Sequence, residues 1–437
     1  MAEKAHRGPL VSLRLAALGL AYYSCIYLVK VPMFACGWSA APSIGGLGFK
    51  TCLALAQVFG FAAGKVPSLL VVPKLPQQRL RCALITVIVS AGSCVTLSCM
   101  VPPALSLLLV WCASVWLAPA WSLLQRFLEG RRDTESIVAA VSFAFIGSSG
   151  LCKGAAVDLM ALGLTDAEAV AACAVTGTCV GVLCAYGVAA QPPPSAADVE
   201  KRGQRREMTN YRVDCGRLRS EFGVGLLLTV AAYTLLGALR AYRDYFQLEL
   251  FQAVGLGSSA GLFAQSEVAI SLVVLTASAG LGLIEDHRRA LDVIFVGSAA
   301  SGAGLALLTR AHEAGHASGF AWILGLGALC FLAYVPLGTM LFDRLLAAAG
   351  ENMTSVLLNL VMDTSVLIGT ASLLVYKDVL QLRGGDDPAY AYRFFCASAW
   401  RAGWAIAGLT LAANVSLGFA VDRRRRVAAG RAKIESA

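Results

Sequence analysis

Charge is what this sequence has least of. Asp, Glu, Lys and Arg make up 14% of its 437 residues, while 57% are hydrophobic; a soluble domain carries about 25% charged residues. Such a chain cannot bury all its apolar surface in one aqueous core. Lipid must take much of it, at roughly 20 apolar residues per spanning segment. Short alternating strands are missing too, which excludes a closed barrel and leaves helices, the other structure that pairs its own backbone groups in lipid. None of the 14 cysteines forms a CxxC pair or a secreted-type spacing, so they read as small apolar packing residues. No small-residue cleavage site follows the first apolar run, which is expected to be a retained helix. A glycine-rich phosphate loop ending in Gly-Lys-Ser/Thr is also missing, so ATP-driven transport within this chain is not expected, and no cofactor is implied.

What is present is a series of long apolar runs. Twelve spans are expected: Leu13–Phe34, Phe49–Val72, Cys82–Val101, Ala104–Leu124, Ser136–Leu159, Ala167–Ala190, Phe222–Tyr242, Ser259–Ile284, Ala290–Leu308, Phe320–Phe342, Thr354–Tyr376 and Ser398–Val421. The shortest breaks fall at Pro102–Pro103 and Glu285–Arg289. The formal charge of +9 does not point to nucleic acid, because 25 of the 36 Lys and Arg lie at the N-terminal end, in alternate inter-span segments and in the tail. That bias places those segments in the cytoplasm. An even number of spans puts both termini there. The longest polar interruption, Gln191–Glu221, opens on Pro192–Pro194 and turns Arg-rich, the composition of a linker. The chain therefore divides into a six-helix bundle over 1–190, a basic cytoplasmic linker over 191–221, and a second bundle with a basic tail over 222–437.

An internal echo supports two related halves. Ala21-Tyr22-Tyr23 through Tyr27-Leu28-Val29-Lys30 in the first span matches Ala231-Ala232-Tyr233 through Ala238-Leu239-Arg240 in the seventh, at an offset of 210; each has Tyr seven residues before a cation. Ile146–Leu151 and Ile368–Leu373 form a fainter pair. Parallel repeats of this kind occur in transporters built from two similar halves.

Tyr27-Leu28-Val29-Lys30 followed by Phe34 resembles the first-helix signature Tyr-Leu-Val-Arg-Lys-Asn-Phe of the organic phosphate/phosphate antiporter branch of the major facilitator superfamily. That resemblance implies an all-α, twelve-helix, two-bundle membrane fold. It implies a substrate phosphate bound at Lys30 and at Arg240, within Leu239-Arg240-Ala241-Tyr242, with Arg243 as the rival position. Lys65 falls near a lysine of that branch. The chain departs from it at three points. Lys30 lacks the bidentate fork of the family arginine, no acid stands between Gly64 and Lys74, and Phe145 takes the place of a histidine. Phe127-Leu128-Glu129-Gly130-Arg131-Arg132, Phe342-Asp343-Arg344-Leu345 and Tyr242-Arg243-Asp244 are similar to stretches of an uncharacterised family of major facilitator-like membrane proteins, which implies fold and no substrate.

Charges inside spans cost about 2.5–3.5 kcal/mol each on insertion scales, so those retained are candidates for function. Lys30 and Arg240 lie at matching depth in their spans. Two cations at such a place are reconciled by an anion between them, while snorkelling to the headgroups is the bland reading. Tyr23, Tyr27 and Tyr233 offer hydroxyls from the same helices. Arg243 and Asp244 read as an interfacial or gate pair. Glu267, Asp363 and Asn359 are candidates for proton coupling or for a structural charge pair with Arg240 or Lys153, Lys65 is a further coupling or charge-pair candidate, and Lys153 and Asp158 stand near a span end.

His312-Glu313-Ala314-Gly315-His316 is an HExxH, which on one helix sets two zinc ligands a turn apart. It is expected in a polar loop between the ninth and tenth spans, with Asp343 or Asp363 as candidates for the third ligand it would require, and an intramembrane metalloprotease is the least favoured reading. Asn352-Met353-Thr354 and Asn414-Val415-Ser416 match the glycosylation pattern, and neither is expected to be used. The leading expectation is thus a secondary transporter of a small organic anion, not an enzyme, with the lipid bilayer and that solute as its partners and no nucleic acid or protein partner. A non-transporting scaffold or receptor on the same fold is the alternative.

Overall fold

The computed structural model describes residues 2–38, 41–128, 141, 143–191, 211–257, 259–350, 356–384 and 389–435. Among them no strand forms; one isolated bridge joins Ile44 and Leu47. Fifteen α-helices follow in order: α1 (Ala2–Lys30), α2 (Phe49–Val71), α3 (Gln77–Ser98), α4 (Pro103–Leu117), α5 (Ala120–Leu128), α6 (Gly147–Ala161), α7 (Asp166–Ala189), α8 (Tyr211–Tyr245), α9 (Gln247–Ala253), α10 (Ala260–Gly282), α11 (His287–Glu313), α12 (Gly319–Thr339), α13 (Leu341–Ala348), α14 (Val356–Gly384) and α15 (Tyr390–Glu435).

Helix occurs within every one of the twelve expected spans. Among the described residues, nine helical stretches are long and apolar enough to cross a membrane, α4 and α5 counting as one. The expected breaks before Pro103 and around Asp286 are present. Asp286 caps α11, accepting the backbone N–H groups of Arg288 and Arg289. Those bonds, Arg288 first, hold its carboxyl below the usual carboxylate range.

Several boundaries differ from the expected ones for identifiable reasons. The fourth span is two helices, because Pro119 supplies no N–H to continue the ladder past Leu117. The seventh begins at Tyr211, inside the segment read as linker, and runs to Tyr245. Charged residues in α8 and α15 extend those helices past their apolar stretches, since helix propensity does not require apolarity. Linker residues 192–210, the start of the fifth span and the Asn352 sequon lie outside the described residues. Asn414 lies within α15.

Leu183 (70% exposed), Leu227 (69%) and Phe419 (74%) show large apolar side chains on the outer faces of helices, which only lipid satisfies. Hydroxyls inside the spans bond back to the carbonyl one turn earlier, as Ser68 does to Gly64, Ser114 to Val110 and Thr229 to Gly225, leaving no buried donor orphaned at those points. All described cysteines are free and most are buried, as small packing residues should be.

The chain forms two compact units. The first comprises Met1–Gly203, Asp244–Ser271 and Leu374–Asp387; the second comprises Gln204–Arg243, Leu272–Leu373 and Pro388–Ala437. Helices α8, α10 and α14 therefore each change unit along their length. In the first unit, Gly60 and Gly64 bring α2 against α4, where a Cβ on Gly64 would lie 2.5 Å from the Val115 carbonyl oxygen. In the second, Gly302 of α11 and Gly403 of α15 face each other's carbonyls at a similar distance. Such small-residue crossings are how helices approach closely in lipid.

Candidate functional site

In the first unit the Lys30 ammonium ends α1 seated 4.2 Å from the centroid of Tyr27, one turn earlier, and 5.2 Å from that of Phe61 on α2. Tyr23 packs 5.7 Å from Tyr27 and extends the aromatic wall to Trp121 of α5 at 5.1 Å and to Phe145 at 5.2 Å. Trp121 and Phe145 themselves meet edge to face at 4.8 Å. Lys30, Phe61, Trp121 and Phe145 are half-buried, Tyr23 and Tyr27 buried. Phe145, which stands where the resemblance would put a histidine, thus contributes a ring face and no titratable group. Lys65 is half-buried one turn beyond Phe61.

In the second unit the Arg240 guanidinium lies 4.7 Å from the Tyr334 centroid and 5.6 Å from that of Phe331, both on α12. Tyr334 stacks on Tyr233 at 4.6 Å with 13° between ring planes. Tyr233 lies within electrostatic reach of Asp363 and Arg240. The sequence echo therefore has a structural counterpart in each unit. A tyrosine seven residues before the cation meets a ring of that half's fourth span, Trp121 in one and Tyr334 in the other, and the cation rests on aromatic faces. Cation–π seats of this kind contribute about 0.5–2 kcal/mol, more when dry. Asn359 and Asp363 are half-buried on α14, and Arg243 is 2% exposed.

The largest departure from expectation concerns Asp244, Glu267 and Lys153. Lys153 is not a span-end residue but a fully buried one, with 0% of its side chain exposed. Its ammonium donates to Asp244 Oδ1 at 2.5 Å, to the Asp244 carbonyl at 2.6 Å and to Gln247 Oε1 at 2.8 Å. Gln247 Nε2 in turn donates to Glu267 Oε1 at 2.8 Å, and Ser149 Oγ to Asp244 Oδ1 at 2.9 Å. Glu267, 1% exposed, is thus tied to Lys153 through a buried amide. Gln247 had no signal in the sequence, since a lone amide beside a span end looks like any loop residue.

A second group missed in the sequence surrounds the start of α2. Lys50 Nζ donates to both carboxylate oxygens of Glu249, at 2.7 and 2.9 Å. Lys377 pairs with Asp378 at 2.5 Å and donates to Thr51 Oγ1 at 3.2 Å, while the Gly48 N–H donates to Asp378 Oδ2 at 3.0 Å.

The HExxH is not in a loop throughout, as expected, and not on one helix either. His312 and Glu313 close α11, and Gly315, at φ +79°, turns the chain before His316. His312 stacks on Trp322 at 4.7 Å, and its Nδ1 lies 2.9 Å from the Ala317 carbonyl. Glu313 pairs with Arg310 at 2.9 Å. With the two imidazoles separated by a left-handed turn, the helical ligand geometry of that motif is not formed. Among the described residues no group of three His, Cys, Asp or Glu is placed to hold a metal.

A family model described as a family of unknown function, DUF5690, matches residues 33–411. The chain belongs to that family. No curated protein matches the sequence. Among solved structures, a mutant of the nucleoside transporter NupG is similar at TM-score 0.61 and 13% identity, covering 91% of this chain and 99% of that one. The D-xylose–proton symporter is similar at 0.61 and 11%, covering 91% and 96%. A structure of proton dependent oligopeptide transporters is similar at 0.59 and 13%, covering 96% and 99%. This DUF5690 member is therefore an all-α polytopic membrane protein with a major facilitator-type fold.

Proposed function

We propose that this DUF5690 protein is a secondary active transporter that moves a small organic anion, phosphorylated or carboxylated, by alternating access, with both termini in the cytoplasm. One observation carries the reading. The first span of each half presents a cation, Lys30 or Arg240, seven residues after a tyrosine and seated on aromatic rings. Rings shield an intramembrane cation from lipid, and a cation so seated on the first span of each half suits an anionic group. Likeness in fold to carriers of nucleosides, xylose and peptides supports transport as the task and does not distinguish the solute. Tyr23, Tyr27, Tyr233 and Arg243 complete the proposed binding set, and Lys65 stands with the coupling or charge-pair candidates. Asp363 and Asn359 are the coupling candidates, while the tie of Glu267 to Lys153 through Gln247 favours a structural charge network for that acid.

The test is a thermal-shift screen of the detergent-purified protein against inorganic phosphate, sugar phosphates, triose phosphates and carboxylates. A ligand at 100 times its dissociation constant adds about 2.7 kcal/mol to the native state. An anion-dependent rise in melting temperature is expected in the wild type and is lost in Arg240→Ala. A rise that survives in Arg240→Ala removes Arg240 from the site, and no rise with any anion removes the anionic substrate.

A further inference from the structure

Phe246 is the single residue between the end of α8 at Tyr245 and the start of α9 at Gln247. Its buried ring serves two ammonium groups, Lys377 Nζ at 4.2 Å and Lys50 Nζ at 5.8 Å from the centroid. Two cations against one ring repel each other, and here each is held by its own carboxylate, Lys377 by Asp378 and Lys50 by Glu249. Asp378 also accepts the N–H of Gly48, the residue that caps α2, and Lys377 reaches Thr51 in its first turn. Lys50 and Glu249 are 199 positions apart, Gly48 and Asp378 are 330 apart. Three remote stretches thus meet on one ring: the start of α2, the α8–α9 junction and the end of α14.

The placement of those stretches gives the cluster its meaning. All its residues lie in the first unit, yet α8 and α14 run on into the second. The ends of those helices are held where they are by ion pairs and ring contacts at α2. Charged contacts suit a reversible attachment better than apolar ones, because separated charges are taken up by water. The Glu249 side chain is already 28% exposed, whereas Lys153 is wholly buried.

We propose that the Phe246 hub is a breakable latch. With Lys50, Glu249, Lys377 and Asp378 engaged, it pins the ends of α8, α9 and α14 to the first turn of α2, and its release frees those ends as a conformational step. The purpose of such a step rests on the transporter reading; the latch itself does not, and its test uses no substrate.

Cys52, one turn into α2 and 7% exposed, is a native reporter of release, and Cys330, 1% exposed in the second unit, is a native reporter of intact folding. The full-length protein in liposomes is treated with a membrane-impermeant maleimide, and labelling of each cysteine is read by peptide mass spectrometry. Glu249→Lys places two cations together and is expected to raise Cys52 labelling at least fivefold with Cys330 still protected. Lys50→Glu combined with Glu249→Lys restores the pair in reverse and returns Cys52 towards wild type. Phe246→Leu keeps apolar bulk and both ion pairs but removes the ring face, and is expected to raise Cys52 labelling as well. Unchanged Cys52 labelling in Glu249→Lys and Phe246→Leu overturns the latch, as does a charge swap that fails to restore protection. Should Glu249→Lys expose Cys330, and so have unfolded, the Phe246→Leu variant and the swap decide alone.

Discussion

A lysine in the interior of a membrane protein is held there by its partners or not at all. Lys153 has no exposed side-chain area, and it donates to three acceptors on Asp244 and Gln247, 91 and 94 positions away. Removing one member of a buried charged set leaves the others desolvated and unpaired, a loss of about 3–5 kcal/mol. Lys153→Met is therefore expected to lower the melting temperature sharply, and Lys153→Met with Asp244→Leu to lower it by less than the two single losses combined, since residues sharing one network are not additive. Strict additivity in that cycle, followed by tryptophan fluorescence on heating, would show that the pair is not coupled. The sequence displays the cost of such a residue but not who shares it. That is why Lys30 and Arg240 stood out and their aromatic seats, Phe61 and Tyr334, did not. For Lys153 even the cost was hidden, because the apolar run ends only a few residues after it.

Between elements, contact is set by what is missing from the side chain. Gly60 and Gly64 are four apart on α2, the spacing that clears one helical face for a close neighbour. An alanine methyl at Gly64 would meet the Val115 carbonyl oxygen at 2.5 Å, a backbone atom that moves only if α4 moves. Gly64→Ala is expected to destabilise by about 1–3 kcal/mol through this overpacking. Gly297→Ala, on α11 with nothing within 4 Å of the new methyl, is expected to be neutral or to stabilise by up to about 1 kcal/mol through helix propensity. Equal melting temperatures for the two variants would remove the close-packing account. The helices themselves were legible, because each needs only a local apolar run, and the breaks at Pro103 and Asp286 carry local signals. Which helix packs on which is not local. The Gly60–Gly64 spacing was nevertheless available as a signal, as was Gly315 within the HExxH.

At the scale of the whole chain, the sequence divides at its polar segment, while the contacts divide elsewhere. The first unit takes Asp244–Ser271 and Leu374–Asp387 from beyond that segment, and those pieces carry the partners of its buried cations. Asp244 and Gln247 hold Lys153, Glu249 holds Lys50, and Asp378 is bound at Gly48. A fragment of residues 1–203 retains the six apolar runs of the first half, enough to insert as helices by hydropathy. It leaves Lys153 buried without any of those acceptors, and burying an unpaired charge costs several kcal/mol, on the scale of a domain's whole stability of about 5–15 kcal/mol. Expressed alone, 1–203 is expected to elute as aggregate on size-exclusion chromatography. Co-expressed with 204–437, it is expected to elute as one sharp peak holding both fragments, because the contacts that complete it are noncovalent and do not need the intervening chain. A monodisperse 1–203 that melts like the full-length protein would mean that Lys153 finds its partners within the first half, and the cross-chain network would then be no requirement of that unit's fold.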